Sequence, residues 1–117
     1  MITTEILAKV RNHASKQRGK SINPSGKCLY RGPLNTKCFI GCLIDDYDYN
    51  SLMDNPGFTI QQILENFPQI SYISPIDLEK QRALDFLKDI QGCHDNYQIE
   101  EWDNRLNEIE AKFGITN

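Results

Sequence analysis

The sequence contains no long hydrophobic run. None of its apolar stretches approaches the roughly 18 residues that a transmembrane helix needs. The N-terminal segment Met-Ile-Thr-Thr-Glu also lacks the basic start and the apolar stretch of a secretory signal. We therefore expect a cytoplasmic protein that does not contact a membrane. With 117 residues, 39% of them hydrophobic, the chain has enough apolar material for one core, so a single domain over residues 1–117 is expected.

The four cysteines lack the short Cys-x2-Cys spacing that is typical of zinc sites. In a chain without an export signal, they are better explained as reduced thiols than as two disulfides. A metal site would have to combine residues from distant parts of the chain, namely Cys28, Cys38, Cys42 and the Cys93-His94 pair. We therefore expect neither a metal nor another cofactor.

Negative charge is scarce in the first third of the chain. Residues 1–37 contain eight Lys/Arg and one Glu, a net charge of +7, whereas residues 38–117 contain five Lys/Arg and fifteen Asp/Glu, a net charge of −10. This split indicates either a surface that attracts anions or charge pairing between the two parts. Nucleic acid is disfavoured as a partner because most of the surface would repel it. A small anionic ligand is easier to accommodate.

Apolar residues recur at helical spacing through much of the sequence. The spacing and the end signals predict helices from Thr3 or Thr4 to about Gly19, from Thr59 to Pro68, from Ser74-Pro75 to about Gly92, and over residues 98–113. Two short arms around a Gly-Pro turn add, at most, a two-stranded β-hairpin near residues 28–40. We therefore predict a mainly α protein that folds as a compact helical bundle.

A further short, buried helix is predicted from Cys38 to the Asp45-Asp46 pair. It contains Gly41, and glycine inside a helix is unfavourable by about 1 kcal/mol relative to alanine. We therefore expect another part of the chain to pack closely against Gly41.

Residues 27–45 concentrate the groups that are most able to bind a ligand. Tyr30 offers an aromatic face, Arg31 offers a planar fork for phosphate or carboxylate, and the start of the Cys38 helix offers backbone N–H donors. The predicted ligand-binding residues are Tyr30, Arg31, Lys37, Cys38, His94 and Asp95. On this hypothesis the protein binds a small anion and is not an enzyme. A salt bridge within the protein is the competing interpretation of Arg31.

Nucleophilic catalysis is the alternative hypothesis for the same stretch. Cys38 at a helix start would have its thiolate stabilised by the helix dipole, and His94 oriented by Asp95 would serve as a base. The protein would then be a cysteine-dependent hydrolase or transferase with Cys38, His94 and Asp95 as its catalytic residues. A buried, inert cysteine and a structural histidine are the competing interpretation.

The central stretch resembles a family of small uncharacterised proteins that are common in phages, prophages and some bacteria. The shared pattern is Cys-x-Tyr-Arg at residues 28–31, Lys-Cys-x-x-Gly-x-Leu-Ile at residues 37–44, and a His-Asp dipeptide before a last helix that contains a tryptophan, here Trp102. Phe39 stands where the family usually has alanine. The resemblance implies no assigned reaction. It implies a binding protein that counteracts or modulates a host defence system, with a nucleotide-like anion or a host protein as its partner.

Overall fold

Four α-helices dominate the computed structural model, which describes residues 2–55, 57–66 and 80–114. They are α1 (Ile2–Lys16), α2 (Ile60–Asn66), α3 (Lys80–Asn96) and α4 (Ile99–Lys112). Three short 3₁₀ turns lie between α1 and α2, at Pro33–Asn35, Gly41–Leu43 and Ser51–Met53. The prediction of a mainly α protein is confirmed. None of the described helices is both long enough and apolar enough to cross a membrane.

Helix α4 packs against both α1 and α3. At its start, the Gln98 N–H donates to the Glu101 side chain at 3.3 Å, and the Glu101 N–H donates to the Gln98 backbone carbonyl at 2.9 Å. Its apolar stripe and that of α1 follow the predicted spacing, and both are buried in the core: Trp102, Leu106 and Ile109 on α4, with Ile6, Leu7 and Val10 on α1. Helix α1 ends at Lys16, three residues before the predicted Gly19.

Helix α3 continues past Gly92, where the sequence predicted its end, and reaches Asn96. The reason is burial, because Ile90, Cys93 and His94 follow one another at helical spacing and are all buried. His94 and Asp95 therefore belong to the last turn of a helix. The predicted start at Ser74-Pro75 lies outside the described residues.

Helix α2 begins directly after Thr59, as predicted. The Thr59 hydroxyl accepts a hydrogen bond from the backbone N–H of Gln62 at 3.1 Å, and the Gln62 side chain accepts one from the Thr59 N–H at 2.9 Å. These two bonds satisfy donors that the first turn of a helix leaves without partners. The predicted end at Pro68 lies outside the described residues.

The β-hairpin predicted near residues 28–40 does not form, and the described part of the chain contains no strand there. The Gly32 N–H donates to the Thr36 carbonyl at 2.8 Å, which closes a turn without a ladder behind it. The backbone N–H groups of Tyr30 and Arg31, one of which a hairpin would pair with the second arm, both donate instead to the carboxylate of Asp54. The first arm is thus bound to a side chain of a distant loop.

The short helix predicted from Cys38 is reduced to the 3₁₀ turn at Gly41–Leu43. Phe39 precedes it and is completely buried, with its ring centroid 4.8 Å from that of Trp102. The close packing predicted at Gly41 is confirmed, because a Cβ atom there would overlap the backbone carbonyl of Tyr30. This contact fixes the predicted ligand-binding stretch against the core.

Candidate functional site

Asp54 organises the segment that carries Tyr30 and Arg31. Its Oδ1 accepts the Tyr30 N–H at 2.7 Å, and its Oδ2 accepts the Arg31 N–H at 3.1 Å and the Tyr49 hydroxyl at 2.6 Å. The Tyr30 hydroxyl donates to the Phe58 carbonyl at 2.6 Å, and burial raises the pKa of Tyr30 above its ordinary value. Sequence reasoning missed Asp54, because no local pattern links it to a segment more than twenty residues away.

The guanidinium of Arg31 is used inside the protein. It donates to the carbonyl oxygens of Gly41 and Ile44, each at 2.5 Å, and to Asp46 Oδ1 at 3.2 Å. Its carbon lies 5.0 Å from the centroid of the Tyr49 ring. The fork that the sequence suggested for an anionic ligand therefore caps the carbonyls of the 3₁₀ turn, and this geometry favours the structural interpretation of Arg31.

Lys37 and Cys38 are also held by internal contacts. The Lys37 N–H donates to Gln17 Oε1 at 2.7 Å, and its ammonium lies 3.5 Å from Asp46 Oδ1. Cys38 is 1% exposed, and its sulfur accepts the Gly41 N–H at 3.2 Å. Burial raises the pKa of the Cys38 thiol well above its ordinary value. A thiol in this state is a poor nucleophile, because the thiolate is the reactive form.

His94 is a completely buried part of the core. Its ring stacks on Trp102 at a centroid distance of 5.5 Å and meets Phe39 edge-on at 5.4 Å. Its Nε2 lies 3.1 Å from the backbone N–H of Ser21, which can only donate, and its Nδ1 lies 2.8 Å from Asp95 Oδ1. This pattern assigns a neutral imidazole protonated on Nδ1. The ring thereby ties the loop at Ser21 to the end of α3.

Cys28, and not Cys38, joins His94 and Asp95 in the fold. Ligand atoms of Cys28, His94 and Asp95 all lie within 4.8 Å of one another. Although burial alone would raise the pKa of Asp95, hydrogen bonds from His94, Cys28 and Gln91 lower it below its ordinary value. Burial and the hydrogen bond to Asp95 raise the pKa of Cys28 to about 12. The carboxylate therefore lies between thiol and imidazole, whereas a catalytic triad requires the imidazole in the middle.

The same cluster contains three residue types that bind zinc, but its hydrogen bonds oppose a metal. A metal on His94 Nδ1 would displace the proton donated to Asp95 and leave the proton on Nε2, facing the Ser21 N–H. In the described part of the chain no other group of three such side chains is close enough to share an ion. The metal set suggested by Cys28, Cys38, Cys42 and the Cys93-His94 pair is not assembled.

Some of the predicted ligand-binding residues do share a cavity of about 290 Å³. Its walls include Cys28, Tyr30, Cys38, Asp54 and Asp95. The lining of this polar pocket combines these two carboxylates with one cation, Lys27, so it offers an anion no excess of positive charge. Of the predicted ligand-binding residues, Tyr30, Cys38 and Asp95 line the pocket, whereas Arg31, Lys37 and His94 do not.

A second, larger cavity of about 750 Å³ lies between the end of α1 and the turn at Pro33–Asn35. We call it the basic groove; it is lined by His13, Lys16, Gln17, Arg18, Gly19, Lys20, Ile22, Pro33, Leu34, Asn35 and Thr36. None of these residues is acidic. Lys16 and Arg18 form no ion pair with any described residue. Lys20 donates to the Asp95 carbonyl at 3.2 Å, so the groove lies beside the last turn of α3, which contains His94 and Asp95.

The rim of the basic groove contains a strained turn. Leu34 and Asn35 have φ angles of 57° and 61°, in the left-handed region that β-carbon sterics disfavour by about 1–2 kcal/mol per residue. The Leu34 side chain is 96% exposed. Thr36 stabilises the turn, since its N–H and its hydroxyl both donate to the Pro33 carbonyl, at 3.1 and 2.7 Å. A large apolar side chain is thus held out to solvent beside three cations.

Comparison of the chain with models of known protein families, with curated proteins and with solved structures finds no match. The functional assignment therefore depends on the geometry of the two cavities. Sequence reasoning missed the basic groove as a site, although the excess of Lys and Arg in residues 1–37 was its signal. Lys16, Arg18 and Lys20 could be interpreted individually as exposed charges, and only the fold brings them beside Leu34.

Proposed function

We propose that the protein is a non-enzymatic binding protein that holds an anionic ligand in the basic groove. The observation that supports this most directly is the lining of the groove, which has three cations and no acidic side chain among its described residues. A volume of about 750 Å³ falls within the range of about 300–1,000 Å³ that is usual for small-molecule sites. The ligand class is that predicted from the sequence, but the site is a different one.

Electrostatics favour the basic groove over the polar pocket around Asp54 and Asp95. Five described cations outside the groove form ion pairs with carboxylates, so an incoming anion would compete with those carboxylates: Arg11, Arg31, Lys37, Arg105 and Lys112. Lys16 and Arg18 have no such partner among the described residues, so an incoming anion does not have to displace one. Binding should weaken as salt is raised, because the groove is open to solvent.

The contacts of the thiols do not support the alternative of a cysteine-dependent hydrolase or transferase. Cys38 is buried and bonded to Gly41, and His94 uses both ring nitrogens on Ser21 and Asp95. His94 is completely buried and Cys38 is only 1% exposed, so neither side chain is presented to a substrate in solution. A host protein or a host nucleotide signal, the partners implied by the family resemblance, would each have to present its negative charge to the basic groove.

Titration calorimetry with inorganic tripolyphosphate tests the proposal. The double variant Lys16→Gln/Arg18→Gln should bind this anion at least about tenfold more weakly than the wild-type chain, because it loses two of the three cations. Raising NaCl from 0.05 to 0.5 M should weaken wild-type binding in the same direction.

The matched control is Lys88→Gln/Lys112→Gln, which removes the same charge from α3 and α4, away from the groove. This variant should bind tripolyphosphate as the wild type does. Equal losses in both double variants would mean that net charge, and not the groove, attracts the anion. No binding by the wild-type chain would reject the proposed function.

A further inference from the structure

We infer that the natural occupant of the basic groove is an acidic segment of a partner protein that carries an aliphatic side chain, and not a nucleotide. This inference rests on the proposed function and specifies its ligand class. It combines two features of the groove, its cations and its apolar rim. Carboxylates of the partner would pair with Lys16, Arg18 and Lys20, and its aliphatic side chain would pack on Leu34.

The ring content of the groove argues against a nucleotide. Recognition of a base normally uses a flat aromatic or guanidinium face on which the base can stack. Among the described lining residues, His13 has the only aromatic ring and Arg18 the only guanidinium, and the Arg18 guanidinium is one of the three cations that an anionic group would pair with. Its Nε2 lies 2.9 Å from the Lys37 carbonyl, and its ring is edge-on to Phe39 at 6.4 Å. The ring is therefore oriented by the protein core and does not form a platform for a base.

The backbone at the groove also differs from that of a phosphate site. Phosphates are commonly bound at helix N-termini, where free N–H groups and the positive end of the helix dipole face the anion. Here α1 meets the groove at its C-terminal end, near Lys16. The attraction of an anion to the groove must therefore come from side-chain cations. Such cations can pair with separate carboxylates along a peptide as well as with a single phosphate group.

The apolar rim indicates what else the occupant carries. Leu34 is almost completely exposed in a left-handed conformation, and Ile22 and Pro33 also line the groove. Strained backbone that presents an unburied apolar side chain is a feature of binding surfaces. A partner with only charged groups would leave this rim in water, whereas an aliphatic side chain would cover it.

Calorimetry with four anions of defined composition tests the inference. The probes are acetyl-Asp-Asp-Leu-Asp-Asp-amide, the same peptide with serine in place of leucine, ATP without magnesium, and inorganic tripolyphosphate. The leucine peptide should bind about tenfold more tightly than the serine peptide, a difference expected for burial of one aliphatic side chain. ATP should bind no more tightly than tripolyphosphate, because the groove offers the base no aromatic platform and the phosphates compete with the base for the Arg18 guanidinium.

The variant Leu34→Asn identifies the source of the difference between the peptides. Asparagine tolerates the left-handed region, so the turn should be retained while the apolar contact is lost. The variant should bind both peptides with affinities within about twofold of each other. Leu34→Gly, which also accepts the positive φ, should behave in the same way.

The outcomes separate this inference from the proposed function. If no probe binds the wild-type chain, the proposed function fails. If all four bind equally, or if the leucine peptide keeps its advantage in Leu34→Asn, the groove binds anions but the inferred partner is wrong. If ATP binds more tightly than tripolyphosphate while the two peptides are equal, the occupant is a nucleotide and the inference is overturned.

Discussion

At the scale of single residues, the position of Asp95 determines what the cysteine and histidine near it can do. A carboxylate between Cys28 and His94 accepts a hydrogen bond from each, so it stabilises the thiol and the neutral imidazole. The same three groups in the order thiol, imidazole and carboxylate would activate the thiol. The cluster thus contains the same three chemical groups as a catalytic triad, but its hydrogen bonds connect them in a different order.

The thiols should consequently be unreactive in the folded protein. Burial, the main cause in each case, raises the pKa of Cys28 and Cys42 to about 12 and that of Cys93 to about 11. With iodoacetamide at pH 7.5, each should react at least about 100-fold more slowly than free cysteine, because little thiolate is present. Mass spectrometry of peptides after timed labelling measures the rates. Labelling in urea, where all four cysteines should react, is the control, and rapid labelling of Cys38 alone would support the enzyme hypothesis.

His13 should make the fold less stable in mild acid. Burial lowers the pKa of His13 below its ordinary value of 6.5, even though its bond to the Lys37 carbonyl opposes this. The unfolded chain therefore takes up the proton first, so the free energy of unfolding should fall as the pH drops below about 6.5. Urea unfolding of the wild type and of His13→Gln at pH 7.5 and 5.5 measures the effect. The variant should lose less stability between these two pH values; an equal loss would assign the effect to other groups.

At the scale of elements, the segment at residues 28–31 and the turn at Gly41–Leu43 form one packed unit. Gly41 lies against the Tyr30 backbone, and Arg31 bonds to the carbonyls of Gly41 and Ile44. This arrangement accounts for Arg31 and Gly41 without a ligand, because the arginine bonds to the glycine carbonyl and the glycine leaves room for the Tyr30 backbone.

Gly41→Ala should therefore destabilise the protein by about 3 kcal/mol, because a methyl group has no room beside a backbone carbonyl that cannot rotate away. Urea unfolding measures the change. Gly19→Ala is the matched control, since no atom lies within 4 Å of the added carbon there and its φ is not in the left-handed region. It should change stability by less than about 1 kcal/mol. Similar stabilities for the two variants would contradict the close packing.

The elements also show where sequence information was sufficient. Helices α1 and α4 were predictable because their apolar stripes are regular and face one core. The absence of the predicted hairpin could not be foreseen, because Asp54 binds the N–H groups of Tyr30 and Arg31. A contact between residues so far apart in sequence leaves no periodic pattern. The basic groove was missed for a similar reason: it joins the end of α1 to a turn whose left-handed Leu34 no propensity predicts.

At the scale of the whole molecule, charge pairing between the two parts of the chain accounts for a share of the divided charge. Ion pairs join the positive first third to the acidic remainder, as in Arg11 with Asp103 and Glu110, and Lys37 with Asp46. At the end of α1, Lys16 and Arg18 have no acidic partner among the described residues, and both line the groove. Within the described part of the chain, internal pairing thus leaves Lys16 and Arg18 as unpaired cations of the groove on a protein whose net charge is −3.

Arg11 provides the test of this internal pairing. Its guanidinium lies 2.7 Å from Glu110 and 3.3 Å from Asp103, and it donates to Asn107 at 2.8 Å, so one side chain of α1 contacts three residues of α4. Arg11→Met keeps the apolar stem and should lower the free energy of unfolding by about 1 kcal/mol at low salt. Urea unfolding in 0.05 and 0.5 M NaCl should show the difference from wild type shrinking as the salt is raised. Tripolyphosphate binding should be unchanged, because Arg11 does not line the groove. A loss of binding equal to that of Lys16→Gln/Arg18→Gln would show that the chain attracts anions through its overall charge, and that the pairing of α1 with α4 does not confine the attraction to the groove.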